Sequence, residues 1–256
     1  MSSSKLELLA IEDLPIVMPG DDLARLAIDG LERSGMRLVS GDVLVVAQKV
    51  VSKAEGRMVA LADVTPSPRA LQLGRETNKD PRLVELILSE TKRVVRSGPN
   101  VLIAEHRLGF VMANAGVDQS NVGAQDGIER ALLLPRDPDA SAEVLRSALS
   151  ARSDARIGVI INDSFGRAWR LGTVGVALGV AGLPALKDLR GRPDLLGRPL
   201  RVSISAFADE IAAAASLLMG QGDEGRPMVI ARGLTWHEPS SGVGALLRSS
   251  EEDLFR

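Results

Sequence analysis

Short apolar runs bounded by turn residues recur at Val43–Ala47, Val101–Ala104, Phe110–Ala113, Ile157–Ile161, Val202–Ala206 and Met228–Ala231. Each has the length and composition of a buried strand. Between several of them the spacing of apolar residues changes to that of a helix. Leu23, Leu26, Ala27 and Leu31 share one face, with Asp21 and Asp22 at the end where the helix dipole favours negative charge. Asp80-Pro81 reads as an N-cap followed by proline at the first helical position, and Leu83, Leu86, Ile87 and Glu90 continue the turn pattern. Ser141 to Leu149 predicts another helix, capped by Asp139 or Ser141. The alanine-rich Ala208–Met219 predicts a further one, closed by a left-handed Gly220.

Strands and helices therefore alternate irregularly. Leu102 to Ala113 reads as two strands joined at Glu105–Leu108, an antiparallel hairpin. Asp63–Arg69, with Pro66 and Pro68, and Leu134–Asp139 read as loops. The expected fold class is α+β (mixed α/β), with mixed or antiparallel sheets and flanking helices, rather than a regular Rossmann or P-loop fold. Composition does not shift along residues 1–256 and no 20–50-residue repeat occurs, so one domain is expected. If it divides into two subdomains, the turn at 135–139 is the best boundary.

Composition narrows the classes. With 45% hydrophobic and 25% charged residues, the chain is globular and can bury a core. A net charge of −2 gives no general basic character, so no nucleic-acid partner is expected. Cysteine and tyrosine are absent, with four Phe and two Trp, so the core must be mainly aliphatic and thiolate chemistry is excluded. The N-terminus lacks the pattern of a signal peptide. The longest uncharged stretch, between Arg170 and Lys187, is broken by glycines and Pro184 and is shorter than a spanning helix needs. A soluble cytoplasmic protein without a membrane partner is expected.

Four polar clusters are candidates for chemistry; no Walker or Rossmann glycine motif appears. The Ile157–Ile161 run stops abruptly at Asn162-Asp163-Ser164-Phe165-Gly166-Arg167-Ala168-Trp169-Arg170, and loops after such strands form ligand crevices. Asp163 and Ser164 supply the hard oxygens that Mg²⁺ or Mn²⁺ prefers, and Arg167 and Arg170 could face phosphate or carboxylate. Asn114-Ala115-Gly116-Val117-Asp118 follows another strand, so Asp118 could converge with Asp163 on one ion, although an Asx-rich turn is the plainer explanation. The glycine-rich Gly220-Gln221-Gly222-Asp223-Glu224-Gly225-Arg226 could wrap a ligand or be a flexible turn. Gln48 to Arg57 carries Lys49, Lys53 and Arg57, enough to neutralise a polyphosphate, although a solvated face is the usual meaning of such charge. His106 and His237 have no paired ligand spacing, which argues against zinc.

In order along the chain, several segments resemble the coenzyme F420:L-glutamate ligase (F420 gamma-glutamyl ligase) family. They are Leu14-Pro15-Ile16-Val17, Gly20-Asp21-Asp22-Leu23, Val51-Ser52-Lys53-Ala54-Glu55-Gly56-Arg57, Asn114 to Asp118, Ser120-Asn121-Val122, Asp163 to Arg167, Ala208 to Ala212 and the loop around Gln221. The resemblance implies a GTP-dependent ligase that joins L-glutamate to the deazaflavin F420 precursor, and then adds γ-linked glutamates, through an acyl phosphate. It implies Mg²⁺ or Mn²⁺, with K⁺ as a further ion, and a homodimer. By position, Asp118, Asp163, Ser164 and Gln221 match the metal ligands. Leu14, Pro15, Ile16, Val17, Gln48, Lys49, Lys53 and Asn121 match GTP contacts, as do Met219, Gly220, Gln221, Gly222, Asp223, Glu224, Gly225 and Arg226. Arg167 and Arg170 are assigned to substrate from charge alone. The alternatives are a related amide ligase with another acceptor, and a non-catalytic nucleotide- and metal-binding regulatory module.

Overall fold

The computed structural model describes residues 5–122, 127–249 and 251–253; within it the Arg167 side chain is not described. The first third of the chain forms β1 (Glu7–Ala10), α1 (Leu23–Arg33), β2 (Val43–Ala47), α2 (Gln48–Ala54), β3 (Met58–Ala60), α3 (Pro68–Thr77) and α4 (Pro81–Ser89). The middle gives β4 (Thr91–Gly98), β5 (Val101–His106), β6 (Val111–Ala113), β7 (Arg130–Leu132) and α5 (Pro138–Ser153). The remainder gives β8 (Gly158–Arg167), β9 (Arg170–Ala181), β10 (Lys187–Asp188), β11 (Ile204–Ser205), α6 (Phe207–Met219) and β12 (Met228–Arg232).

The main sheet has the order β1-β12-β2-β8-β9. Only β2 and β8 are parallel; the other neighbours are antiparallel. α6 lies across all five strands, while α5 packs on β8 and β9 and is itself covered by α1. The mixed α+β class expected from the irregular alternation is the one observed. A second, antiparallel sheet, β4-β5-β6, contains the expected hairpin, with Ile103 opposite Ala113 and Glu105 opposite Val111.

Two glycines show how closely the helices sit on β9. A Cβ at Gly175 would lie 2.2 Å from Ser216 Oγ on α6, and one at Gly179 would lie 2.3 Å from the Pro138 carbonyl at the start of α5. Residues four apart on a regular strand share a face. Here a bulge, with Ile161 opposite Gly179 but Asn162 opposite Ala177, turns them to opposite faces. β9 is an edge strand, and acids from the two helices take its outward N–H groups. Asp209 accepts from Ala177 N at 2.9 Å and Asp139 from Val180 N at 2.8 Å, which blunts the edge against foreign strands.

Several elements differ from expectation. β8 does not stop at the acid: it runs on to Arg167, because β9 folds back across a turn at Ala168-Trp169 and supplies the backbone partners that hydrophobic burial does not. The α5 cap is Asp137, whose Oδ1 accepts from Ala140 N at 3.1 Å, with Pro138 following; Asp139 is committed to β9 instead. Gly220 has a positive φ of 72° but a ψ of −173°, so the chain leaves α6 extended rather than in the left-handed helical region. The expected Val202–Ala206 strand contracts to β11, leaving Val202 exposed. The proline-containing loop is partly helical, since Ser67 caps α3 at Pro68.

The apolar interior forms two clusters. The larger surrounds the main sheet, and the smaller is built from residues between Leu61 and Leu133, including Leu73, Val84, Ile87, Leu102 and Ala131. The chain passes from the second to the first between Leu133 and Leu134. A buried polar knot spans that junction. Glu90, at the end of α4, pairs with Arg57 at 3.0 Å, Arg107 at 3.2 Å and His106 Nε2 at 3.2 Å. His106 Nδ1 accepts from Leu108 N at 3.0 Å, which assigns the ring proton to Nε2. Arg57 and Arg107 also donate to the carbonyls of Leu134 and Arg136. Burial alone would push Glu90 up, but His106 and the two guanidinium groups outweigh it and hold the carboxyl at about 2.

Candidate active site

The topology brings four separate segments to one end of the main sheet. Pairing between parallel β2 and β8 ends at Ala47 opposite Asn162. Residue 48 then enters α2, whereas β8 continues with β9; among the described residues it pairs with no other strand from Asp163 onward. β12 is antiparallel to β2 with Met228 opposite Val46, so the loop before it arrives at the same end. Ala47 N donates to the Pro227 carbonyl at 2.8 Å and ties that loop down. β1 is antiparallel to β12, with Ala10 opposite Val229, so the segment after it arrives there too.

These ends enclose a cleft of about 400 Å³. Leu14, Pro15, Ile16 and Val17 form an apolar wall, and Gln48, Lys49 and Lys53 of α2 form a basic one. Asn121 closes one side, and Asp163 and Ser164 come from β8. Met219, Gly220, Gln221, Gly222, Asp223, Gly225 and Arg226 complete the boundary. Glu224 does not line it: its carboxylate turns back to accept from Gly222 N at 2.8 Å and braces the loop. Arg226 pairs with Glu12 at 3.3 Å. The cluster read as a solvated charged face is thus helix α2, with Gln48 and Ser52 buried and joined at 2.9 Å while both lysines reach the cleft or its border.

Asp118 comes from the smaller sheet region. Asn114, Ala115 and Gly116 have φ values of 53°, 47° and 72°, a left-handed turn that swings the chain out of β6. A Cβ at Gly116 would lie 2.7 Å from Leu134, so that position requires glycine. The chain then pairs with β7: Asp118 N donates to the Leu132 carbonyl at 3.0 Å and Leu132 N to the Asp118 carbonyl at 2.8 Å. With its backbone clamped, Asp118 points its carboxylate at Lys49 Nζ, 2.6 Å away. Ser120 adds bonds from N and Oγ, each 2.8 Å. Lys53 Nζ donates to the Asn121 carbonyl at 2.8 Å, and Asn121 reaches the Gly222 carbonyl weakly at 3.4 Å.

The two aspartates differ in charge environment. Burial would raise Asp118, but Lys49 and the Ser120 donors outweigh it and hold it below its ordinary value. Asp163 is pushed up to about 6, chiefly by burial; Ser164 N–H and the Lys49 charge offset part of this and the Asp118 charge adds to it. Asp163 is thus a desolvated carboxylate with one backbone donor, Ser164 N at 2.8 Å. Burial and the neighbouring Lys49 also lower Lys53. Among the described residues no group of three or more His, Cys, Asp or Glu side chains gathers.

Five lining residues fall outside the expected set: Ala47, Val50, Asn162, Ser216 and Pro227. Asn162 is buried and donates Nδ2 to Ser216 Oγ at 3.0 Å. Ser216 in turn donates to the Ala212 carbonyl, so its oxygen is free to accept from the amide. The position of Asn162 next to Asp163 was its only signal in the sequence; nothing there points to Ser216. Arg170 lies outside the cleft, exposed at the start of β9 near the hairpin tip.

A family profile described as F420-0:Gamma-glutamyl ligase matches residues 12–233. The chain belongs to that family. It is 49% identical over 253 residues to a coenzyme F420:L-glutamate ligase of Methanothermobacter thermautotrophicus, covering 98% of this chain and 99% of that one. A protein of the same description from Methanopyrus kandleri is 48% identical over 255 residues, covering 97% and 98%. Another, from Methanocaldococcus jannaschii, is 44% identical over 216 residues, covering 84% and 85%. Every segment lining the cleft, from Leu14 to Pro227, falls within the region matched by the family profile. This F420 ligase family member is therefore an enzyme, a ligase, and its likeness to these relatives extends well beyond any single motif.

Proposed function

We propose that the cleft joins L-glutamate to the carboxylate of the coenzyme F420 precursor, and then to the γ-carboxylate of the growing chain, at the expense of GTP. The observation that carries this reading is a basic wall, Lys49 and Lys53, in one cleft with a half-buried Asp163, where the pairing of parallel β2 and β8 ends.

A carboxylate oxygen of the precursor attacks the terminal phosphorus of GTP. The bond from that phosphorus to its bridging oxygen breaks, and GDP leaves with the electron pair. The glutamate amine then attacks the acyl carbon; the carbon–oxygen bond to phosphate breaks, phosphate departs and the nitrogen loses a proton. Little covalent chemistry falls to side chains, so positioning and charge compensation dominate. Lys49 and Lys53 offset phosphate charge, Leu14 to Val17 offer an apolar wall for the base, and the loop from Met219 to Arg226 wraps the nucleotide. Arg167 and Arg170 are assigned to the acidic arms of the substrates.

The donor set suits a hard divalent cation, Mg²⁺ or Mn²⁺, with K⁺ as a further ion. Asp118 and Asp163 supply carboxylates, Ser164 a hydroxyl and Gln221 an amide oxygen, and Mg²⁺ ordinarily fills its remaining positions with water and phosphate oxygens. Asp163, pushed up to about 6 chiefly by desolvation, is the group a cation would most stabilise. When bound, such an ion would neutralise charge on the transferred phosphoryl group.

We also propose that the protein is a cytoplasmic homodimer. Trp169, Leu195 and Leu196, each at least 89% exposed, are apolar surface for a second copy. Among the described residues no helix is long and apolar enough to cross a membrane. The test is conversion of GTP to GDP by purified protein, with the product followed by mass spectrometry. Turnover should require glutamate and the precursor together and vanish in Asp163→Ala. GTP and Mn²⁺ binding without such turnover would favour a regulatory module, and an active Asp163→Ala would remove the metal assignment.

A further inference from the structure

We propose that Lys49 is a positioning residue that holds Asp118 in place of a divalent ion and transfers to the nucleotide phosphates when ion and nucleotide bind. The proposal rests on the metal reading above. All three ammonium donors of Lys49 are engaged by one loop: Asp118 Oδ2 at 2.6 Å, Ser120 Oγ at 2.6 Å and the Ser120 carbonyl at 3.2 Å. An ion bound by the Asp118 carboxylate would compete with the ammonium for that oxygen. The contact bridges distant parts of the chain, since Lys49 follows β2 in the main sheet and Asp118 stands beside β7 in the smaller region. Lys53, one turn further along α2, fixes the Asn121 carbonyl of the same loop at 2.8 Å. The loop carrying Asp118 is thereby stitched to α2 at two points.

An ammonium and a divalent ion on one carboxylate repel each other, because like charges a few ångströms apart are costly in a partly desolvated site. Lysine is a point charge on a flexible stem, so its head can move without disturbing α2. The cleft it lines is where nucleotide phosphates would supply replacement acceptors. Two consequences follow. Without nucleotide, Lys49 opposes the ion. With nucleotide, the ammonium has another partner, so ion and nucleotide each strengthen the binding of the other, as linkage requires.

The experiment titrates Mn²⁺ into the full-length protein, read by electron paramagnetic resonance, with and without a non-hydrolysable GTP analogue. It compares wild type, Lys49→Met and Asp163→Asn, with thermal melts of each. Lys49→Met should bind Mn²⁺ about tenfold more tightly than wild type when nucleotide is absent, and the gain that nucleotide gives wild type should shrink. Its melting point should fall without metal and recover with Mn²⁺, which separates lost positioning from misfolding. Unchanged or weaker Mn²⁺ binding by a folded Lys49→Met overturns the proposal and leaves the metal reading intact. Mn²⁺ affinity unaffected by Asp163→Asn, or absent from all three proteins, overturns both.

Discussion

Replacing Glu90 with glutamine tests whether the buried knot between the two apolar clusters is held by charge. The carboxyl titrates at about 2 against an ordinary value of 4.5. That gap, at roughly 1.4 kcal/mol for each pH unit, corresponds to about 3 kcal/mol of folding stability at neutral pH. Only 10% of the side chain is exposed, so solvent screening takes little from this figure. The folded value lies below the unfolded one. The contribution is therefore fully present above 4.5 and lost as pH falls through 2. It should drop to about 1.4 kcal/mol at pH 3. Glutamine keeps the shape but leaves Arg57 and Arg107 without their counter-charge, so the cost at pH 7 should be at least about 3 kcal/mol. For a chain of this size that corresponds to a melting point lower by roughly 6–12 °C. Denaturant titrations of both proteins at pH 7, 5, 4 and 3 would measure the gap between them. A gap that stays constant across that range, or one below about 1 kcal/mol at pH 7, would refute the reasoning.

Two further outcomes follow from the fold. Gly175→Ala puts a methyl 2.2 Å from Ser216 Oγ and 2.5 Å from the Ala212 carbonyl, so α6 must shift off β9. It should cost about 1–3 kcal/mol by denaturant unfolding, and an unchanged midpoint would mean that the helix yields freely. Trp169→Asp, at the exposed tip of the β8–β9 hairpin, should weaken self-association if that tip meets a second copy. Light scattering across a dilution series would register the change, and equal masses for both proteins would exclude the tip from the interface.

How much of this was legible before the structure depended on whether local pattern or distant pairing decided each element. β2 and β12 were readable to within a residue, because strands buried on both faces are continuous apolar runs. α1 was readable from its stripe and its Asp22 cap. α2 was not, since seven residues with two lysines carry too little periodicity, and the lysines face a cleft rather than bulk water. β9 was missed because its glycines, which look like loop residues, are there to admit α5 and α6. The extension of β8 beyond Ile161 was hidden for a related reason: its outer half is held by an antiparallel partner rather than by apolar burial. At the site, the resemblance named residues many of which line one cleft, while Asp118, Glu224 and Arg170 do not. The ion pair from Lys49 to Asp118 was beyond reach, since it depends on where a helix and a loop distant in the sequence come to rest.

The convergence of these residues follows from register more than from any one loop. The pairing of Ala47 with Asn162 sets the level at which α2 departs and at which β8 parts from β2. A slip of one residue between those strands would exchange the faces of Asn162 and Asp163. The buried amide would then point away from Ser216, and the carboxylate would turn toward α6 and away from Lys49. The bulge at Leu178 guards against that slip, because it gives the β8–β9 pair one spacing that fits both helices. Asp209 fills the outward N–H of Ala177 at that bulge, so a residue of α6 outside the cleft stabilises the register on which the cleft depends. In the sequence Asp209 sits within the Ala208–Ala212 stretch that resembles the family. The structure gives it a physical role: it anchors β9, the partner of the strand that carries Asp163, without itself lining the cleft.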